Sequence, residues 1–187
     1  IHRLSANSKR LLSLIDDLLT LSRIQEDGIG FADRLVDLRT IVAAGVAVVA
    51  PALEQRDLRL DVDLPDEPLP FLGDRDMLER VVINLVGNAV KFTPEGGRVG
   101  VALTTDDDTA DITVADTGIG IPLEEQDRLF SRFFRSSLAQ QQAIPGSGLG
   151  LSIAHAIVEK HGGAMAVESE PGRGTVFRVR LPLLTAS

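Results

Sequence analysis

The stretch RDMLERVVINLVGNAVKFT, Arg75 to Thr93, limits what this chain can fold into more than any other. On a 3.6-residue period Leu78, Val81, Val82, Leu85, Val86 and Ala89 gather on one side, which predicts a helix that must bury that side. Arg80, Asn84, Asn88 and Lys91, spaced by four, four and three, fall within an arc of about 80° on a neighbouring stripe. Asparagine is a poor helix former, and any one of these residues alone reads as part of a solvated face. Together they offer amide oxygens to a hard cation and positive charge to phosphate.

Around this helix the pattern predicts a long first helix from Leu4 to Ile24, where Leu4, Ser8, Leu11, Ile15, Leu18 and Ser22 alternate spacings of four and three. Leu12, Leu14, Leu19 and Leu21 widen that seam. It fits either partner helices or packing on the chain's own body. Gly28 and Gly30 end the helix, and the expected units are residues 1–27, a linker at 28–37 and a body at 38–187. The body reads as helix Leu38 to Gln55, strand Leu58 to Leu64, a short strand around Phe71, the helix Arg75 to Phe92, and strands Val99 to Thr104 and Ala110 to Ala115. A helix near Glu124 to Arg132, a polar loop from Ser136 to Ser147, a helix Gly148 to Lys160 and strands Met165 to Glu168 and Thr175 to Leu181 follow. The predicted class is α+β, a two-layer sandwich with one mixed sheet under helices.

Composition excludes several functions. The formal net charge is −8 with no visible basic patch, so nucleic acid is not an expected partner. No cysteine is present, which rules out disulfides and thiolate metal sites, and three scattered histidines do not make a metal cluster. The longest apolar run, Ile41 to Leu53, is broken by Gly45 and Pro51 and is shorter than the ~20 residues that span a bilayer, so no direct membrane contact is expected. A start at Ile1 without a signal-like segment reads as a piece of a longer protein.

Two glycine-rich stretches carry chemistry. In DTGIGIP, Asp116 follows a strand, where its carboxylate can face a pocket and accept from the exocyclic amine of adenine; Gly118 and Gly120 let a flat ligand approach the backbone. In PGSGLGLSIAHAIVEK, Gly146, Gly148 and Gly150 lead into a helix, a loop of N–H groups suited to phosphate. It is neither a Walker loop nor a dinucleotide fingerprint.

The ordered set NLVGNAVKF, DTGIGIP, LFSRFFR and GSGLGL resembles the N, G1, F and G2 boxes of the sensor histidine kinases, members of the ATPase superfamily that includes gyrase, Hsp90 and MutL. The resemblance covers Leu38 to Pro182 as a Bergerat-type catalytic ATP-binding domain. LLSLIDDLLTLSRIQEDG is similar to the second helix of that family's dimerisation and phosphotransfer hairpin. The resemblance implies ATP and Mg²⁺, with Asn88 ligating the metal, Asn84 supporting it, Lys91 meeting the phosphates and Asp116 the adenine amine. Gly118 and Gly120 would line the base pocket, Gly146, Gly148, Leu149 and Gly150 would wrap the triphosphate, and Arg135 would be a lid residue near the γ-phosphate, with Ser136 to Ser147 as the lid. Phe130, Phe133 and Phe134 are expected to anchor the lid by burial.

By the same resemblance the intact bacterial protein would be a homodimer that passes the γ-phosphoryl group to its histidine and then to a response-regulator aspartate, in the cytoplasmic part of a membrane-anchored receptor. The family's acceptor pattern, like H-E-L-R-T-P-L, has no counterpart here: His2 is followed by Arg3 and Leu4, and His155 and His161 read as structural, the latter as an imidazolium at a helix C-terminus. Autophosphorylation of this chain alone is not expected. A hydrolytic ATPase of the same superfamily and a non-catalytic dimerisation module are the alternatives; Asn84, standing where gyrase-like members carry a glutamate base, favours transfer over hydrolysis.

Overall fold

A computed structural model describes residues 2–25 and 32–183, and in the first helix the side chains from Leu11 to Ile24 apart from Ser13. The expected helix end at Gly28 and Gly30, the start of the linker, and the side chains of His2, Leu4 and Ser8 lie outside the described residues.

In chain order the elements are α1 (His2–Gln25), β1 (Arg34–Asp37), α2 (Leu38–Gln55), β2 (Arg59–Asp63), β3 (Pro70–Gly73), α3 (Arg75–Phe92), β4 (Arg98–Thr105) and β5 (Thr109–Asp116). Then follow α4 (Leu123–Gln126), α5 (Ser137–Gln141), α6 (Gly150–Lys160), β6 (Ala164–Glu170) and β7 (Gly174–Pro182). Five strands form one mixed sheet in the order β2-β4-β5-β7-β6, with β2 parallel to β4 and every other pair antiparallel. β1 and β3 make a separate antiparallel ribbon.

Strand alternation builds the core. Val99, Val101 and Leu103 on β4, Ala110, Ile112 and Val114 on β5, and Phe177, Val179 and Leu181 on β7 are buried together on one face. Leu78, Val82, Leu85 and Val86 of α3 and Ile153 and Ile157 of α6 cover them. On the other face Arg180 grips Asp111 through two hydrogen bonds of 2.8 and 2.7 Å in the open. α2 packs alongside α3, where a Cβ on Gly45 would stand 2.7 Å from Val82 Cβ. It is long and apolar enough to cross a membrane, yet Leu38, Ile41, Val42, Val46, Val49 and Leu53 line its buried side.

Aspartates start both long helices of the body. Asp37 accepts from the Arg39 N–H at the head of α2, and Asp74 accepts from the Met77 N–H at the head of α3, each such cap contributing about 1 kcal/mol. The Asp74 N–H in turn donates to His161 Nε2 at 3.0 Å, while His161 Nδ1 lies 2.8 Å from the Ile157 carbonyl. His161 was expected as an imidazolium; an Nε2 that accepts a backbone hydrogen carries none, so the ring is the neutral Nδ1–H tautomer and rivets the end of α6 to the start of α3.

Other differences from expectation have local causes. Part of the expected linker is β1, only four residues long and paired to β3 more than thirty residues away, a contact that no local period announces. The helix expected near Glu124 to Arg132 is cut to α4, because Arg128, Leu129 and Ser131 bond three residues back in successive turns. The expected loop holds α5, capped by Ser136 and tied to α4 where the Glu125 carboxylate accepts from the Ser137 N–H at 3.0 Å.

α1 divides its residues between two surroundings. Thr20, Leu21 and Ile24 are buried and Leu14 is partly buried against the core, whereas Leu11, Leu12, Ile15, Leu18 and Leu19 are exposed. Arg80 of α3 holds the helix by pairing with Asp17 at 2.8 Å and Asp16 at 3.1 Å.

Candidate functional site

A cavity of about 450 Å³ opens between α3, the end of β5, the loop after α5 and the head of α6. That volume falls inside the roughly 300–1,000 Å³ typical of small-molecule sites. Its wall includes Asn84, Asn88, Lys91, Asp116, Gly120, Arg135, Gly146, Gly148 and Gly150, which the fold therefore brings together from four separate stretches. Gly118 and Leu149 are not on the wall. The Gly118 N–H donates to Asp116 Oδ1 at 2.8 Å and so fixes the carboxylate from behind, while Leu149 is fully buried and caps α6 from the core.

Each side chain is placed by its element. Asp116 ends β5 on the inner face of the sheet, continuing the row Ala110, Ile112 and Val114. Burial pushes its carboxyl up from 3.8 to about 6, opposed by hydrogen bonds from the Gly118 and Thr175 backbone. The polar stripe of α3 splits: Arg80 turns to α1, and Asn84, Asn88 and Lys91 face the cavity. Asn84 Nδ2 donates to the Gly150 carbonyl at 3.0 Å, joining α3 to the head of α6. Lys91 Nζ lies 4.5 Å over the Phe92 ring, and a Cβ on Gly146 would fall on it, so the cation and the glycine loop abut.

The loop is shaped by residues with left-handed backbone. Gly148 has φ +74°, and a Cβ there would meet the Phe133 backbone at 2.6 Å; the Gly148 carbonyl accepts from the Phe133 N–H at 2.9 Å. Phe133 itself has φ +61° and is 60% exposed, which corrects its expected role as a buried anchor. Phe134 does reach the cavity, with Arg128 over its ring, and Phe130 packs on His155 at 4.7 Å between centroids. Arg135 lines the cavity while its guanidinium donates to the Ile144 carbonyl, tying the start of the loop to its end.

Several wall residues carry no sequence signal of their own. Thr175 and Phe177 arrive because β7 pairs with β5 in the register Asp116 to Thr175 and Val114 to Phe177. Leu14 and Asp17 arrive because α1 docks beside α3. Among the described residues no group of three or more His, Asp or Glu could hold a metal by itself. The Asn88 amide oxygen on the cavity wall is a hard donor, and a Mg²⁺ held there would need phosphate and water to complete its shell.

Residues 73–185 match the family described as Histidine kinase-, DNA gyrase B-, and HSP90-like ATPase. The chain is 36% identical over 185 residues to the sensor histidine kinase RppB of Synechocystis sp., covering 99% of this chain and 41% of that protein. It is 40% identical over 176 residues to the histidine protein kinase DivJ of Caulobacter vibrioides, covering 94% of this chain and 29% of DivJ. It thus spans less than half the length of these relatives. Among solved structures, the mycobacterial sensor histidine kinase MprB superposes with a TM-score of 0.69 at 35% identity, over 83% of this chain and all of that one. Full-length ShkA in complex with AMPPNP superposes with a TM-score of 0.81 at 30% identity, over 97% of this chain and 38% of that one.

Proposed function

From the premise that this chain belongs to the histidine kinase-, gyrase- and HSP90-like ATPases, within the sensor histidine kinases, we propose that it is the Mg-ATP-binding catalytic part of a kinase that phosphorylates a histidine elsewhere in its intact protein. One observation carries the reading: a single cavity is lined both by a half-buried carboxylate and by Asn88 and Lys91 beside a glycine loop at the head of α6. A purine with an exocyclic amine and a polyphosphate satisfies both at once.

In this reading Asp116 accepts from the adenine amine, Gly120 lets the base lie against the backbone, and Lys91 with the N–H groups of Gly146, Gly148 and Gly150 holds the phosphates. Asn88 supplies an oxygen to Mg²⁺, which when bound neutralises phosphate charge. Arg135 sits on the loop that closes over the γ-phosphate. Asn84 spends its amide N–H on the Gly150 carbonyl and has no basic group for activating water, which supports transfer over hydrolysis. The acceptor is a histidine outside this chain, relayed to a response-regulator aspartate, and Leu11, Ile15 and Leu18 on the open side of α1 support pairing with a second copy in the intact protein. The kinase part lies in the cytoplasm of a membrane-anchored receptor.

The test is calorimetric titration with Mg-ADP. Asn88→Asp adds negative charge near the phosphates, and Asp116→Asn replaces an acceptor with a group that can present hydrogens. Each is expected to weaken binding more than about tenfold, about 1.4 kcal/mol. Unchanged affinity in both variants refutes the site.

A further inference from the structure

Asp116, Thr175 and Ser169 form one row across three neighbouring strands: Asp116 pairs with Thr175 between β5 and β7, and Thr175 with Ser169 between β7 and β6. Thr175 is buried and on the cavity wall. Ser169 lies one strand further away, and its hydroxyl has three close neighbours: the Ile121 N–H at 2.9 Å, the Gly174 carbonyl at 2.8 Å and the Thr175 hydroxyl at 2.9 Å.

Counting hydrogens fixes the direction of every bond. The Gly174 carbonyl has none to give, so the contact at 2.8 Å requires the Ser169 hydrogen. The Ile121 N–H fills one Ser169 lone pair. The remaining contact, between the two hydroxyls, needs one hydrogen, and the only one left belongs to Thr175. Thr175 therefore donates to Ser169, and its hydroxyl keeps only lone pairs to offer a ligand in the cavity. With ionised Asp116 beside it, this part of the cavity offers acceptors from both side chains.

We infer that Ser169 is a specificity-determining positioning residue, which through Thr175 makes the base pocket prefer a purine with an amine at ring position 6 over one with a carbonyl there. The inference rests on adenine binding at Asp116. An amine can give both of its hydrogens to Asp116 and Thr175, whereas a carbonyl oxygen would face two acceptors, an arrangement that rejects the wrong base. If Thr175 were free to turn, its hydroxyl could donate to that carbonyl and the discrimination would soften. Gln126 braces the same corner, its Nε2 donating to the Ile121 carbonyl at 3.1 Å and the Ser169 carbonyl at 2.9 Å, so the Ile121 N–H is held in place to occupy its lone pair.

The experiment compares Mg-ADP with Mg-IDP, which differ only in the base edge, by titration of the wild-type chain, Ser169→Ala, Ser169→Thr and Thr175→Val. The wild type is expected to prefer ADP. Ser169→Ala should narrow the ADP-to-IDP ratio about tenfold, and Ser169→Thr, which keeps the hydroxyl, should restore it. Thr175→Val removes the acceptor directly and should narrow the ratio too, which decides the matter if Ser169→Ala does not fold. A loss of affinity that is equal for both nucleotides in Ser169→Ala and Thr175→Val would be purely structural and overturns the inference while leaving adenine binding intact. A wild-type chain that binds neither nucleotide overturns the reading of the cavity itself.

Discussion

Nucleotide affinity should fall as the pH drops through 6, and Asp116 should be the cause. Its carboxyl is raised to about 6 chiefly by burial, and the ionised form is the stronger acceptor for adenine's amine and, unlike the acid, presents no hydrogen to it. One pH unit below that value about one carboxyl in eleven stays ionised, so binding at pH 5 should be weaker than at pH 7.5 by up to about tenfold, about 1.4 kcal/mol. Measuring Mg-ADP affinity for the wild type and Asp116→Asn at pH 7.5, 6 and 5 isolates the effect, because protonation of the phosphates is common to both proteins and cancels in their ratio. The ratio should shrink by up to about tenfold across the range, since asparagine does not titrate there. The ligand-free protein should show the opposite sign. A carboxyl whose folded value is raised contributes stability fully present below 3.8 and lost as the pH rises through about 6, so Asp116 favours the folded state at low pH while disabling its ligand there. Parallel pH profiles for the two proteins would refute this account of the pocket.

Amide exchange from Ser136 to Ser147 should slow when Mg-ADP is added, since in the proposed site Arg135 and Gly146 to Gly150 would tie that segment to the phosphates; equal exchange with and without nucleotide counts against a closing loop. A double-mutant cycle of Arg80→Ala and Asp17→Ala should give a coupling of about 1–2 kcal/mol in thermal unfolding, because their contact at 2.8 Å is partly buried and joins α1 to α3; zero coupling would mean that α1 is held by its leucines alone. Incubated with labelled ATP, the chain alone should stay unlabelled, and label should pass to a longer chain that adds a helix with the acceptor histidine of the proposed reading and carries Asn88→Asp. Acid-labile phosphate on the short chain would make His2 the first residue to replace.

Elements governed by short-range periods were legible from the residues. α3 runs from Arg75 to Phe92 as its apolar spacing dictates, and α2 from Leu38 to Gln55. What depends on register was not. β1 is a strand only because Pro70–Gly73 lies beside it, and Thr175 and Phe177 join the cavity only because β7 slots against β5. Asp116 and Asn88 could be singled out because a carboxylate at a strand end and an asparagine inside a helix are costly residue types there, whereas what demands glycine at 120 and 148, the backbone of Glu170 and of Phe133, shows only in the fold. Ser169 could not, since a lone serine on an edge hairpin carries no such signature until its three neighbours are in place. α4 stops early because the turns after Gln126 bond three residues back.

The placement of β7 between β5 and β6 bears on how the protein is made. β4 and β5 can pair as soon as they are synthesised, but the other edge of β5, with Asp116 at its end, waits for a strand that begins at Gly174. At ordinary rates of about 5–20 residues per second that edge stays open for several seconds, long enough for an unpaired apolar strand to recruit a neighbour. On the proposed site nucleotide cannot protect it, because the cavity lacks Thr175 and Phe177 until β6 and β7 arrive together as a hairpin. ATP can therefore stabilise only finished chains, and during translation the burden of guarding β5 falls on the speed of the ribosome and on chaperones.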